Sequence, residues 1–520
     1  MIAPSPSAIL YQDPHATTFL IDIPASIARA QSLSPFQSSA LLPSAKNDRN
    51  RTLLSTPPLR APYPARTEPK TDAARARVLE RTPLAERLLH SEILEPLVTE
   101  GLSQIRSALD SGFQWCLPRL EIDPSAPDLP RNGDMGDEAP LPKKRKGTAG
   151  RTRSDSHGNG DAAMKRTDSA SATSNAATCA SLDPPLIVSP GVNRFSCMSE
   201  LSSILVHNTS LESATVHTTC AVDLERTADD TRCYHSGPHH LSSRSVPHSF
   251  YIPPLSSFLQ CRIPISTTPV ANAETPIPGL PHHRKFDLIL LDPPWANRSV
   301  RRSGHYHTQT YLDWELLTQR ICNVLSVHLA QDSPLPNKDE KEEAAEQWRD
   351  GRRRSAIAAI WITNSGKARK TAYDAIHGAG LTVCEEWVWV KTTTEGDPIT
   401  PVGALWRKPY EILVIGRRRA DLSVSSSRAD DSHLKSHPAA KDGEGSITRR
   451  VIAAVPDVHS RKPNLREVFE RVFFSDDSPR DKAGMRYTAL EVFARNLTAG
   501  WWAVGDEALK FNAEEWWVES

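Results

Sequence analysis

Lys285–Trp295 reads KFDLILLDPPW. From Phe286 to Leu291 every residue except Asp287 is apolar, which is the pattern of a strand buried on both faces of a parallel sheet. Pro293 and Pro294 have no N–H donors and end sheet pairing. The chain must therefore leave the sheet with Asp292 and Trp295 at the carboxyl end of a central strand. Open α/β sheets bind their ligands at that edge. Asp292 suits an exocyclic amine as one acceptor, and the Pro293 carbonyl, freed from the ladder, suits it as a second. Trp295 and Pro294 offer a face for a flat base, worth about 1–3 kcal/mol per base. An aromatic amine held by two acceptors loses conjugation with its ring, so its lone pair becomes available to an electrophile such as an activated methyl group. The plainer alternative is a Pro-rich turn after an ordinary core strand.

Downstream, Leu312–Leu329 has the spacing of an amphipathic helix and Ser355–Asn364 that of a buried strand. Residues 331–354 between them read as a charged surface insertion. Lys370–Ala379 suits a helix closed by Gly380, and Thr382–Val390 a strand. A strand at Glu411–Ile415, a low-complexity insertion at 420–447 and a strand at Val451–Val455 follow. Lys462-Pro463 then opens a helix over Leu465–Phe474. The last strand is Ala489–Phe493, followed by a turn to Gly505-Asp506-Glu507. No G-x-G-x-x-G occurs, so the usual dinucleotide fingerprint is absent.

Upstream, the composition changes. Eleven of the 12 tryptophans lie after residue 284, and most of the 42 prolines lie before it. A packed core is expected in the second half and an extended, low-hydrophobicity first half. Residues 1–70 read as disordered, 73–120 as a helical segment with one apolar face interrupted near Pro96, and 121–245 again as disordered. The helical segment is either an accessory packed on the catalytic domain or a site for a protein partner. Lys143, Lys144, Arg145 and Lys146, followed by Arg151 and Arg153, form a basic run (141–153) of the kind read by a nuclear import receptor. Net charge is zero, so any nucleic-acid surface must be local. The eight cysteines show no zinc spacing, and reduced thiols and no metal are expected; the Cys233, His235, His239 and His240 cluster reads as a solvated loop. No apolar run is long enough to span a membrane.

Four elements together resemble one family. They are DPPW followed by ANRSVRRS (Ala296–Ser303), the KPYE-apolar-GR strand, the HS-x-KP run and LEVFARN. The chain resembles the DPPW, or MT-A-seventy-like, adenine-N6 methyltransferases, and within them the methyltransferase-like protein four branch. The likeness covers about Phe250–Val518 apart from the insertions. It implies an α/β, Rossmann-like S-adenosylmethionine-dependent methyltransferase domain (249–520) whose cofactor motif follows DPPW, a permuted order. It further implies that Asp292, Pro293, Pro294 and Trp295 carry the chemistry, and that Asn297, Arg298 and Ser299 position the target nucleotide. Arg301 and Arg302 add positive charge where phosphates would lie. Cofactor contacts are implied for Ile263, Asp292, Lys462, Phe493, Arg495, Asn496, Asp506 and Glu507. Glu491 is alternatively a strand-end residue orienting Arg495. Three positions depart from the family: Arg262 stands where an acidic residue is usual, Arg461 where His is usual, and Asp506 where relatives have Asn.

The function expected is N6 methylation of adenine in nucleic acid in the nucleus. RNA is favoured, specifically a small nuclear RNA at a 2′-O-methyladenosine. DNA methylation and an inactive RNA-binding scaffold are the alternatives.

Overall fold

A computed structural model describes residues 7–33, 51–64, 68–110, 112–122, 184–220, 248–264, 275–295, 313–331, 356–405, 407–418, 447–474 and 487–519. In its amino-terminal part lie strands β1 (Ile9–Gln12), β2 (Thr18–Ile21), β3 (Arg51–Ser55) and β4 (Leu120–Glu121). The middle holds β5 (Leu186–Val188), β6 (Gly191–Cys197), β7 (Leu205–Asn208), β8 (Ala214–Cys220) and β9 (His248–Ile252). Next come β10 (Ser257–Leu259), β11 (Leu288–Leu291), β12 (Ile357–Ile362), β13 (Thr382–Lys391) and β14 (Tyr410–Arg417). The last are β15 (Thr448–Ala454), β16 (Ala489–Val492), β17 (Trp502–Val504) and β18 (Trp517–Glu519). The helices are α1 (Ile23–Ala30), α2 (Asp72–Arg81), α3 (Leu84–Leu88), α4 (Glu95–Ala108), α5 (Trp314–His328), α6 (Gly366–Gly378) and α7 (Arg466–Phe473).

Among the described residues twelve strands form one sheet, in the order β1-β2-β15-β13-β14-β12-β11-β16-β17-β10-β7-β5. Its centre, β12-β11-β16-β17-β10, is parallel. Strand β14 runs against both β12 and β13, so β13, β15 and β2 point the same way as β11. Carboxyl ends of eight strands therefore share one edge. All four residues of β11 are buried. Ile289 and Leu291 pack with α5 and α6 side chains such as Leu317, Ile321 and Ala372. Leu288 and Leu290 pack on the other face with Val468 and Phe469 of α7. Burial on both faces is why this strand carries no polar alternation. The polar residue before it, Asp287, accepts the Thr488 N–H at 2.7 Å and hydroxyl at 3.0 Å, fixing the start of β16.

Two expectations of disorder are corrected. Within 1–70, β2 is an interior strand paired with β15, and Asp22 caps α1 through the Ala25 N–H. Buried Arg466 of α7 donates to the carbonyls of Arg29, Ala30 and Ser32, locking this arm onto the catalytic half. Within 121–245, residues 184–220 supply β5 to β8, and β5 and β7 extend the same sheet past β10. The boundary expected at 249 is therefore not a structural boundary. These strands are three to seven residues long and pair with distant segments, so local composition conceals them. The basic run 141–153, the Cys233–His240 cluster, and the insertions 331–354 and 420–447 apart from their outermost residues lie outside the described residues.

The helical segment is α2, α3, a π-helical turn over Leu89–Leu94, and α4. The π turn immediately precedes Pro96, which has no N–H to return to the preceding turn, so the ladder widens there. Leu94, Val98, Leu102 and Ile105 are buried, and Gly101 brings α4 so close to Val451 of β15 that a Cβ would sit 3.0 Å from that side chain. The segment is thus packed on the catalytic sheet.

Candidate active site

Asp292 follows β11, and the prolines behind it end the ladder as their chemistry requires. The edge is shared by Trp361 at the end of β12, Glu411 at the start of β14, the loop 455–465 after β15, and the turn 493–496 after β16. Trp361, residues 460–465, Phe493, Arg495 and Asn496 line a cleft there together with Asp292 and Glu491. Two residues in these turns take left-handed backbone angles without being glycine: Ser460 at φ 71° and Phe493 at φ 62°. Such conformations are costly and cluster at functional sites. The turn at Phe493 swings Arg495 back toward Asp292. Gly505 permits it, since a Cβ there would lie 3.1–3.3 Å from the Phe493–Ala494 backbone.

The charged side chains form a row of alternating sign. Lys391 contacts Glu411 at 2.6 Å, Glu411 contacts Lys462 at 2.9 Å, and Lys462 contacts one oxygen of Asp292 at 3.2 Å. Arg495 contacts the other Asp292 oxygen at 3.3 Å and Glu507 at 3.0 Å, and Glu507 contacts Lys510 at 2.8 Å. Burial alone would raise the Glu411 carboxyl, but Lys391 and Lys462 hold it far below the usual carboxylate range. Burial opposes the charge on Lys462, and Asp292 and Glu411 more than restore it, so its pKa is raised. Glu507 behaves like Glu411: burial raises it, and Lys510 and Arg495 bring it down. Asp506 is raised by burial and by neighbouring Glu507.

Of the residues named from sequence, Asp292, Lys462, Phe493, Arg495 and Asn496 meet in the cleft. Ile263 and Asp506 do not line it. Ile263 is buried in the core just past β10, whose end lies beside that of β17 and hence close to Asp506 and Glu507. Arg262 is exposed. Asn297, Arg298, Ser299, Arg301 and Arg302 lie outside the described residues.

Two expectations about the DPPW turn are corrected. Trp295 is only 9% exposed, donates its indole N–H to the Trp361 carbonyl at 2.9 Å, and stacks on Trp314 at 5.8 Å. It braces the turn rather than presenting an open plate, because an indole gains more from burying its rings with the N–H satisfied. The Pro293 carbonyl is also not wholly free, since it accepts the Trp295 N–H at 2.8 Å. Its second lone pair is the acceptor left for a ligand.

Sequence reading missed Glu411 and Lys391 as parts of the charged row, and Trp361, whose ring lies 5.5 Å from the Lys462 ammonium. The KPYE element carried a usable signal for Glu411, because a glutamate opening an otherwise apolar strand needs a partner. Among the described residues no cluster of three or more metal-ligating side chains occurs, and no helix is long and apolar enough to cross a membrane. Cys116, Cys197, Cys261, Cys322 and Cys384 are free thiols.

A profile of the MT-A70 family matches residues 350–507. The chain is 37% identical over 293 residues to the N6-methyladenosine RNA methyltransferase MTA1 of Cryphonectria parasitica, covering 55% of this chain and 68% of that one. The chain belongs to the MT-A70 family. It is also 28% identical over 271 residues to the human N(6)-adenine-specific methyltransferase METTL4, covering 52% of this chain and 45% of the relative. To a Caenorhabditis elegans DNA N6-methyl methyltransferase it is 27% identical over 268 residues, covering 51% of this chain and 54% of the relative. The chain thus spans about half the length of these last two.

MT-A70 methyltransferases use S-adenosylmethionine, and the cleft fits that group on its own chemistry. The Asn496 side-chain nitrogen is buried with no hydrogen-bond partner among the described residues, which leaves a donor for a ligand acceptor. Lys462 has three donors, of which Asp292 and Glu411 use two. Lys462 and Asn496 thus have donors left that would hold the cofactor, and the family resemblance implies its carboxylate for Lys462 and its ribose and adenosine part for Arg495 and Asn496.

Proposed function

We propose that this chain transfers a methyl group from S-adenosylmethionine to N6 of adenine in nucleic acid, RNA being favoured. The observation that carries the reading is Asp292, held between Lys462 and Arg495 at the end of the central strand, with a Pro293 lone pair beside it. When bound, the cofactor supplies an activated methyl group. Asp292 accepts one hydrogen bond from the adenine amine and the Pro293 carbonyl the other, turning the nitrogen lone pair away from the ring. Paired to a cation at each oxygen, Asp292 keeps its direction. The methylated nitrogen is cationic and strongly acidic, so Asp292 or water suffices to take its proton.

RNA is favoured by the naming of the Cryphonectria relative, and DNA is the second reading, favoured by that of the nematode relative. The meeting of Asp292, Lys462, Arg495 and Asn496 in one cleft favours an enzyme over an inactive scaffold. At finer grain, the proposed target is a small nuclear RNA at a 2′-O-methyladenosine, and the proposed substrate-binding residues are Asn297, Arg298, Ser299, Arg301 and Arg302. The 141–153 run would deliver the chain to the nucleus through an import receptor. The test is incubation with methyl-labelled cofactor and matched RNA and DNA oligonucleotides, followed by digestion to nucleosides. Label in N6-methyladenosine from RNA supports the reading, label only from DNA transfers it to the second, and no label from either overturns both.

A further inference from the structure

Two carboxyl groups from neighbouring strands enter the same cleft in unlike surroundings. Asp292, after β11, has a cation on each oxygen. Glu491 of β16 stands opposite Leu290 of β11 in the ladder and lines the cleft. Its carboxyl has no hydrogen bond or ion pair among the described residues. The charged groups around it are committed elsewhere. Lys462 is shared by Asp292 and Glu411, Arg495 by Asp292 and Glu507, and Arg461 is paired with Asp457 at 2.7 Å. Burial, and then the nearby Asp292 charge, push the Glu491 carboxyl up to about 8 against the pull of Arg495. Pairs of acids whose surroundings differ in this way take different roles.

We propose that Glu491 is a specificity-determining residue by which the cleft distinguishes the sulfonium donor from its neutral thioether product. The Glu491 proton leaves for solvent when the positive charge enters, and returns once the methyl group and its charge are gone. The proposal rests on the S-adenosylmethionine reading above. Its sign follows from linkage. A cation in the cleft lowers the Glu491 pKa from about 8, so donor affinity rises with pH from the lowered value up to about 8 and is level above it. The thioether carries no charge at sulfur and gains nothing from this ionisation. A lowering of one unit makes the donor preference about tenfold greater at high pH than at low.

The experiment is isothermal titration of the full chain with S-adenosylmethionine and S-adenosylhomocysteine from pH 6 to pH 9, in buffers of differing ionisation enthalpy. The expected result is a ratio of product to donor Kd that grows about tenfold over this range, with release of about half a proton on donor binding near pH 7. Glu491→Gln should flatten the ratio and abolish the proton release. Groups common to both ligands cancel in the ratio. A wild-type ratio independent of pH overturns the proposal without recourse to the variant, and so does an unchanged pH dependence in Glu491→Gln. If wild type binds neither ligand, the cofactor reading falls and this proposal with it.

Discussion

Replacing Asp292 with asparagine removes one charge from the middle of the row Lys391–Glu411–Lys462–Asp292–Arg495–Glu507 while keeping the side chain's shape. Both cations retain a second partner, Glu411 at 2.9 Å for Lys462 and Glu507 at 3.0 Å for Arg495. The side chains of Asp292 and Lys462 are 17% and 18% exposed, between the surface and deeply buried cases. The stability cost should therefore be about 1–2 kcal/mol, a fall in melting temperature of no more than about 5 °C. Catalysis should suffer far more. A hydrogen bond to a charged acceptor is worth about 1.5–3 kcal/mol, and the asparagine amide also offers a donor where the amine needs an acceptor. Turnover should drop at least about a hundredfold, while cofactor affinity stays within about tenfold because Lys462, Arg495 and Asn496 remain. Labelled methyl transfer gives the first quantity and isothermal titration the second. Turnover within about threefold of wild type would refute the role given to Asp292, as would a loss of cofactor binding as large as the loss of turnover.

Asn496→Ala should leave stability within about 1 kcal/mol, since its buried side-chain nitrogen has no hydrogen-bond partner among the described residues, yet weaken cofactor binding about tenfold; equal binding by both proteins would remove Asn496 from the site. Gly396→Ala should destabilise the fold by more than about 2 kcal/mol, because Gly396 has φ 82° and an added Cβ would lie 2.3 Å from the Trp115 ring. Urea titration and protease sensitivity of residues 112–122 check it. His90, bonded to the Tyr410 hydroxyl at 2.8 Å, is brought down to about 4 by burial and then by Lys408 and Arg369. The fold thus prefers it neutral, and stability should fall as pH drops from about 6.5 toward about 4. That decline should be shallower in His90→Gln, and identical slopes for the two proteins would exclude His90 as its source.

The central strand and its carboxylate were legible because both are written within eleven consecutive residues. A continuous apolar run stopped by two prolines has few other structural readings. Lys462, Arg495 and Asn496 were legible through short elements matched in order, not through any periodicity. The amino-terminal strands were not, since β2 offers only four residues, Thr18–Ile21, and its partner β15 lies more than 400 positions away. Burial of Trp295 was equally hidden: an indole after a proline turn reads as a plate, and only the distant Trp314 and the Trp361 carbonyl decide otherwise. The need of Glu411 for a partner was legible, but its partners Lys391 and Lys462 emerge only from the assembled sheet edge.

A structure of the chain with S-adenosylhomocysteine and an adenosine-containing oligonucleotide tests the grip on the amine most directly. The account predicts the adenine N6 nitrogen within about 3.2 Å of both an Asp292 carboxylate oxygen and the Pro293 carbonyl oxygen. An adenine seated elsewhere, with Asp292 still closed on Lys462 and Arg495, would contradict it.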